Sequence, residues 1–405
     1  MNEQSRLSIL VAWEIGGGFG HLMRLRPIVE RLVQRGHRVT LVVRDLEKAQ
    51  EIFPDLACLQ TPQRSGQATD YPQVASLAEI MYNCGFNDQS TVQRLCASWR
   101  AIGELVRPDV VIMDFSPMAL LAFQASPVRR VLIDNGYSHP TMTARMPDLR
   151  PWQRGYADLQ AAIEDDVRQS VNAFLVEQGL EPVEALSALF RRVDSINLMT
   201  LPELDHTGPK THVAYRGYAE PGGPPPPWPE TGARPRVLVY LRPFAGIGEL
   251  LSRLGGMNWA ILAIVPGHDQ QLKARLAGVS NLHLTEALCD IHLAARQADL
   301  AVCAGGDTVG IMLLGATPVC VVPYHAEQYL TAWRAEKTGA AVTAGNPSRL
   351  PPRSDEIITA LNRLISNPDH YDQASEFAAR YKDLDPAREL TAIITEIEGQ
   401  GFPET

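Results

Sequence analysis

The chain has 405 residues, 45% of them hydrophobic and 20% charged; that is too long for one hydrophobic core, so two domains are expected, and too apolar for a disordered chain. A formal net charge of -9 and a sequence pI near 5.6 exclude nucleic acid as an expected partner, because neutralising phosphates takes a basic surface. The opening MNEQSRLS has no basic stretch leading into a long apolar run, and Ile9 to Trp13 is too short for a signal or a membrane span, so a cytoplasmic protein is expected, with no more than peripheral membrane contact.

Leu7 to Trp13 is apolar and β-branched enough for a buried parallel strand, and it ends in the cluster Gly16-Gly17-Gly18-Phe19-Gly20. From His21 to Arg35, Leu22, Leu25, Ile28, Val29 and Leu32 recur at helical spacing, with Gly36 where a C-terminal cap belongs. Arg38 to Val43 is the next strand, which completes a β-α-β unit and implies a parallel sheet. VRPDVVIMDF then gives a strand ending at Asp114, and RRVLID another near Asp134. The stretch from Gln153 to Arg192 is polar and helix-rich, with Leu159, Ile163 and Val167 at helical spacing.

Residues 219–235, AEPGGPPPPWPETGARP, hold the densest proline cluster and cannot continue a helix or a central strand. They are expected to link a domain over 1–218 to a second over 236–385. In that second domain RVLVYL, WAILAIV, NLHL, ADLAVC and TPVCVVP are strands with helical segments between them. A last helix from Pro386 to Ile397 opens on a proline suited to a first turn, and residues 386–405 are expected to be able to pack back on the first domain. The six cysteines, Cys58, Cys84, Cys96, Cys289, Cys303 and Cys320, form no C-x-x-C pair and read as reduced, buried thiols; no metal site is expected.

A strand, a glycine turn and a helix make a site for an anion or polar ligand, because glycine lets the ligand approach the N–H groups at the positive helix terminus. GGGFGH supplies one such turn, with Gly18 inside it and His21 at its mouth. It is not the G-x-G-x-x-G of dinucleotide sites, since His21 falls where the third glycine belongs. Taken alone, His21 reads equally as an inconsequential helix-start residue, and Asp114 reads better as a helix cap than as a catalytic group. CAGGDT before VGIMLLG is a second cradle, with Asp307 or Thr308 as the helix N-cap in the plainer reading. Glu327 and Gln328, after Pro323-Tyr324-His325-Ala326, either hold ligand hydroxyls or sit in a solvated first turn.

Over nearly its whole length the chain resembles the GT-B glycosyltransferases, specifically the UDP-glycosyltransferases of natural products and the bacterial macrolide glycosyltransferases. The resemblance rests on GGFGHLMRLRPIVERLVQRGHRVTLVV, on DVVIMDF, on weaker echoes in VNAFLVEQGLEP and INLMTLPELDH, and on ADLAVCAGGDTVGIMLLGATPVCVVPYHAEQYLTAWRAEKTGAAV. The peptidoglycan N-acetylglucosaminyltransferase is a looser match. What the resemblance implies is an α/β fold of two Rossmann-like domains, mainly parallel, facing a central cleft. It further implies an inverting, metal-independent transfer with His21 as general base and Asp114 as its partner. Gly18, Gly305, Gly306, Asp307, Thr308, Glu327 and Gln328 are then donor-binding residues. The donor is a UDP- or dTDP-linked sugar acting as co-substrate, without any other cofactor, and the acceptor is a hydroxyl of a small-molecule, natural-product or lipid compound. A GT-B sugar-nucleotide epimerase and a catalytically silent partner of a true transferase are the alternatives.

The chain departs from the family's pattern at definite places. The histidine aimed at the donor diphosphate falls on Ala304 or Cys303, the ribose-binding glutamate near Ile311, and the base-stacking aromatic near Ala287. Glu327 replaces an aspartate, and Arg24 stands where the first motif has proline. Arg242, after RVLVYL, is a candidate for the missing positive charge, its planar fork suiting diphosphate oxygens. The acceptor-shaping regions, about Gln60 to Trp99 and Arg145 to Arg192, carry no motif.

Overall fold

The computed structural model describes residues 6–64, 73–155, 157–219 and 222–399. The chain divides into two compact units, the first comprising Met1–Met199, Thr207–Ala219 and Asp385–Thr405, the second Thr200–His206 and Glu220–Leu384.

The first unit holds seven strands: β1 (Ser8–Trp13), β2 (Arg38–Val43), β3 (Ala57–Gln60), β4 (Val110–Asp114), β5 (Arg129–Asp134), β6 (Ser195–Leu198) and β7 (Ala214–Tyr215), in the order β3-β2-β1-β4-β5-β6-β7. Every strand pairing among them is parallel. Both faces are covered, which is why the strands read as continuous apolar runs. Along β1 the side chains alternate: Ile9, Val11 and Trp13 pack with Leu22, Leu25, Ile28 and Leu32 of the helix Gly20–Gln34, whereas Leu10 and Ala12 face Val111, Met113 and Trp99. Each such side chain, fully buried, contributes roughly 1.5–3 kcal/mol.

Gly36 ends the first helix as its position suggests. At φ +87° it donates to the Val33 carbonyl at 2.9 Å, and His37 donates to Leu32 at 3.1 Å, the paired bonds of a Schellman turn. In the helix Ala157–Glu177 the buried face is Ile163, Val167, Val171 and Phe174. Leu159, expected on that face, is instead 46% exposed, because it lies in the first turn, before the helix meets the core.

The helix Pro386–Ile397, capped by the Asp385 carboxylate on the Ala387 amide at 2.9 Å, sets Leu390, Ile393, Ile394 and Ile397 into the core of the first unit. Charges fix it there. Arg216 pairs with Glu389 at 3.1 Å and with Glu396, and Glu398 accepts from Arg35 at 2.7 Å.

The second unit repeats the plan with β8 (Arg236–Tyr240), β9 (Ala260–Ile264), β10 (Leu282–Thr285), β11 (Leu300–Cys303), β12 (Val319–Val321) and β13 (Ala341–Thr343), ordered β10-β9-β8-β11-β12-β13 and all parallel. The segment 200–206, which lies before the proline-rich stretch, clusters with this unit. Glu203 accepts from Arg380 at 2.5 Å and from the Tyr381 hydroxyl, and His206 pairs with Thr331 at 3.0 Å. The proline-rich stretch is fastened to the same unit. The Pro224 carbonyl accepts from Asp290 at 2.8 Å, and Trp228 donates to Gln297 at 2.8 Å with the Arg236 guanidinium over its ring. Residues 220 and 221 of that stretch, and 65–72 of the expected acceptor region, lie outside the described residues.

Candidate functional site

In each sheet the strand order reverses next to the first strand, between β1 and β4 in one and between β8 and β11 in the other. Open α/β sheets bind ligands outside the carboxyl ends of the strands at that switch point. His21 follows β1 and Asp114 ends β4; Arg242 follows β8 and Gly305-Gly306 follow β11. The candidate residues of each unit therefore gather where its topology opens a crevice.

In the first unit, His21 Nδ1 lies 2.9 Å from Asp114 Oδ1, the imidazole being 17% exposed and the carboxylate fully buried. Burial alone would raise the Asp114 pKa; the charges of His21 and Arg24 and their hydrogen bonds outweigh it and hold the carboxyl below its ordinary range. An ionised Asp114 fixes Nδ1 as the protonated nitrogen, so Nε2 becomes the lone-pair nitrogen.

Trp13 stacks on the imidazole with centroids 5.3 Å apart, and Phe115 flanks it at 6.3 Å. Phe115 has φ +43°, a strained conformation for an aromatic residue; it turns the Phe115 carbonyl to accept from the Ile15 amide at 3.2 Å. Gly16, at φ +99°, lies under the ring so closely that a Cβ there would be 2.3 Å from Nε2. Gly18 has φ +74°, and the helix that follows has Phe19 at its N-cap without a side-chain cap.

Asp114 is not a helix cap. The next helix, Pro117–Ala122, is capped from the end of β1, by Glu14, whose carboxyl oxygens accept from Met118 N at 2.9 Å and Ala119 N at 2.7 Å. Sequence reasoning missed Glu14 and gave Arg24 only as a departure. Arg24 is buried and places Nη1 3.2 Å from Asp114 Oδ1 and 3.0 Å from Oδ2. A cation three residues after His21, on the same helix face, was the available signal.

In the second unit the helix Asp307–Leu314 starts one residue earlier than an N-cap at Asp307 requires and two earlier than one at Thr308 requires. Gly306 is the N-cap, with φ +66° and no side chain to offer, and Asp307 and Thr308 stand inside the first turn. Gly305, at φ +129°, packs against Gln328: a Cβ there would be 3.0 Å from the Gln328 Cβ. Gln328 Oε1 accepts from the Tyr324 amide at 2.8 Å, closing the start of the helix Ala326–Glu336, and the Tyr324 hydroxyl donates to the Arg242 carbonyl at 2.5 Å. Arg242, Gly305, Tyr324 and Gln328 thus belong to one cluster, with Arg242 exposed and Gln328 and its neighbour Glu327 half-buried. Tyr324 is the member that sequence reasoning passed over. Cys303 is buried and its thiol is pushed up to about 12 by that burial. Ile311 is buried too, and Ala287 is exposed.

Among the described residues no three His, Cys, Asp or Glu side chains form a metal-binding group, and no helix is long and apolar enough to cross a membrane. No protein-family model matches the chain, and no curated protein matches its sequence significantly. Solved structures do match its fold. CalG4, the calicheamicin glycosyltransferase, is 18% identical, with 98% of this chain and 100% of that chain covered and a TM-score of 0.68. The spinosyn rhamnosyltransferase SpnG complexed with spinosyn aglycone gives 15%, 95%, 96% and 0.60, and the glycosyltransferase VinC in complex with DTDP gives 16%, 97%, 100% and 0.60. Two parallel six- and seven-stranded α/β units in the GT-B plan of these natural-product glycosyltransferases are the fold of this chain.

Proposed function

We propose that the chain is an inverting, metal-independent, cytoplasmic glycosyltransferase that moves a sugar from a UDP- or dTDP-linked donor to a hydroxyl of a natural-product, other small-molecule or lipid acceptor. The observation that carries this reading is the His21–Asp114 pair at the switch point of the first sheet. His21 Nε2 takes the proton of the acceptor hydroxyl as its oxygen attacks the anomeric carbon. The bond from that carbon to the diphosphate breaks, and the diphosphate leaves with the electron pair. The imidazolium so formed keeps its Nδ1–H on Asp114, whose charge stabilises it.

In this reading the negative charge growing on the leaving diphosphate meets the N–H groups at the start of the helix Asp307–Leu314 and the Arg242 guanidinium, with Gly18 on the side of the first turn. Asp307 and Thr308 sit beside the phosphates. Glu327 and the Gln328 amide nitrogen, whose companion oxygen is engaged by Tyr324, face the donor sugar. Fold relatives that hold DTDP or an aglycone support a nucleotide donor and a small-molecule acceptor.

His21→Ala tests the proposal. Transfer should fall by about 10²–10⁴-fold, the usual contribution of a positioned base, with nucleoside diphosphate affinity retained. Transfer by His21→Ala at the wild-type rate refutes it.

A further inference from the structure

Arg24 has no part in the reaction as written above, yet it is the second cation on the dyad carboxylate. Its Nη1 reaches both Asp114 oxygens, at 3.2 and 3.0 Å, and the guanidinium side chain is 6% exposed against a carboxylate with no exposure at all. A second buried carboxylate stands on the neighbouring strand. Asp134 ends β5, accepts from the Gly136 amide at 2.6 Å and from the Ser138 hydroxyl, and has its pKa raised by burial first and by the charge of Asp114 second, against a downward pull from Arg24. The charged groups that face Asp114 are thus His21 and Arg24 from the helix Gly20–Gln34, and Asp134 lies one residue past the position that the β4–β5 register sets opposite Asp114.

A carboxylate with no exposure at all does not stay ionised without a cation, because desolvation favours its neutral form. His21 cannot be that cation while it is the neutral base. Arg24 is charged throughout.

We infer that Arg24 is a positioning residue of the transfer reaction: it holds both oxygens of the buried Asp114 carboxylate so that Oδ1 meets His21 Nδ1. The inference rests on the dyad reading of the site. Its two contacts leave Oδ1 shared with the imidazole and Oδ2 with the arginine. A protonated Asp114 would offer a hydrogen-bond donor where Nδ1–H needs an acceptor, and the neutral imidazole would lose its single tautomer.

The test compares Arg24→Met, which keeps the bulk and drops the charge, with Arg24→Lys, which keeps a cation, and with Arg24→Gln, which keeps an N–H donor without the charge. Three quantities are read on full-length protein: the pH profile of the transfer rate, the ¹⁵N imidazole signals that report the His21 tautomer, and nucleoside diphosphate affinity. Arg24→Met should lower the rate at least ~10-fold, part of the ~10²–10⁴-fold a positioned base supplies. The acid limb of its profile should move to higher pH, because Asp114 then protonates sooner, and the ¹⁵N spectrum should show mixed tautomers. Donor affinity should stay unchanged. Arg24→Lys should restore the profile in part. Arg24→Gln should show the same displaced limb as Arg24→Met, since a neutral amide does not offset the burial of the Asp114 charge.

Wild-type profile and tautomer in Arg24→Met overturn the inference. If Arg24→Met does not fold, the other two variants decide: a displaced acid limb in Arg24→Gln that Arg24→Lys narrows upholds the inference, and a wild-type profile and tautomer in Arg24→Gln, or failure of both to fold, overturns it. The ¹⁵N signals need no activity, so a failure of the dyad as catalyst, seen in His21→Ala, is distinguishable from a failure of Arg24 to act on it.

Discussion

Gly16→Ala adds one methyl group at the most constrained point of the site. The new Cβ would lie 2.3 Å from His21 Nε2 and 3.1 Å from Cδ2 and Cε1, where ordinary contact begins at 3.4 Å. The ring must therefore retreat by about 1 Å, against a packed Trp13 face on one side and a buried Asp114 on the other. A displacement of that size breaks the 2.9 Å bond from Nδ1 to Asp114, and misplacing a reacting group by ~1 Å costs on the order of 10²-fold in rate. The backbone adds its own cost, since φ +99° is a region that an alanine enters at about 1–3 kcal/mol. The expected outcome is a transfer rate down ~10²-fold with stability reduced by about 1–3 kcal/mol in urea unfolding and nucleoside diphosphate affinity unchanged. Steady-state transfer assays, urea titration and calorimetry with UDP and dTDP read the three quantities. A Gly16→Ala protein that transfers sugar at the wild-type rate would show that Nε2 is not the nitrogen that takes the proton.

Arg242→Ala should weaken binding of a nucleoside diphosphate far more than that of the bare nucleoside, because the guanidinium is expected to meet phosphate oxygens; equal losses in calorimetry would make Arg242 an ordinary surface arginine. Glu14 gives a pH signature. Burial raises its carboxyl from 4.5 to about 8, against the opposing pull of the Met118 and Ala119 amides. The folded chain thus keeps a proton that the unfolded chain has already released, so stability should fall as pH rises from about 4.5 towards about 8 and flatten above it. At about 1.4 kcal/mol per pH unit the loss is at most a few kcal/mol. Glu14→Gln should abolish that slope in urea midpoints taken across the range, and an identical slope in both proteins would sink the assignment.

Much of this architecture is written in local chemistry. The β-branched apolar runs of β1, β4, β8 and β11 and the helical spacing from Leu22 to Leu32 announce alternating α/β units, because buried parallel strands and amphipathic helices obey different periods. Several short strands were not legible: β3, β6, β7 and β13 have two to four residues each, too few for a period to show. Leu159 shows the limit from the other side, since spacing alone does not say where along a helix the core begins. At the site, residue types at strand ends made His21 and Asp114 visible. Long-range geometry hid the rest. That Glu14 caps a helix over 100 residues away, and that Gln328 spends its carbonyl on the Tyr324 amide, follow from the pairing of strands and not from any spacing along the chain.

On the proposed reading, the altered loop after β11 makes physical sense once the two kinds of glycine in it are separated. Cys303 is the last residue of β11 and fully buried, so a histidine at that position would drive its ring into the core and could not aim at a phosphate. Gly305 answers to packing: Gln328 approaches so closely that a side chain there must displace it. Gly306 answers to something else. It has φ +66° and ψ -153°, a region open essentially to glycine alone, yet no atom lies within 4 Å of where its Cβ would be. Strained backbone beside open space, at an N-cap that has no side chain, is an arrangement that on the proposed reading an anion would use. Recognition by backbone N–H groups survives any change of the side chains around it. What such a loop lacks is net positive charge, because N–H dipoles supply only about half a charge at a helix terminus. On the proposed reading that deficit falls to Arg242, joined to the same cluster through Tyr324, which is why its variant should discriminate diphosphate from nucleoside.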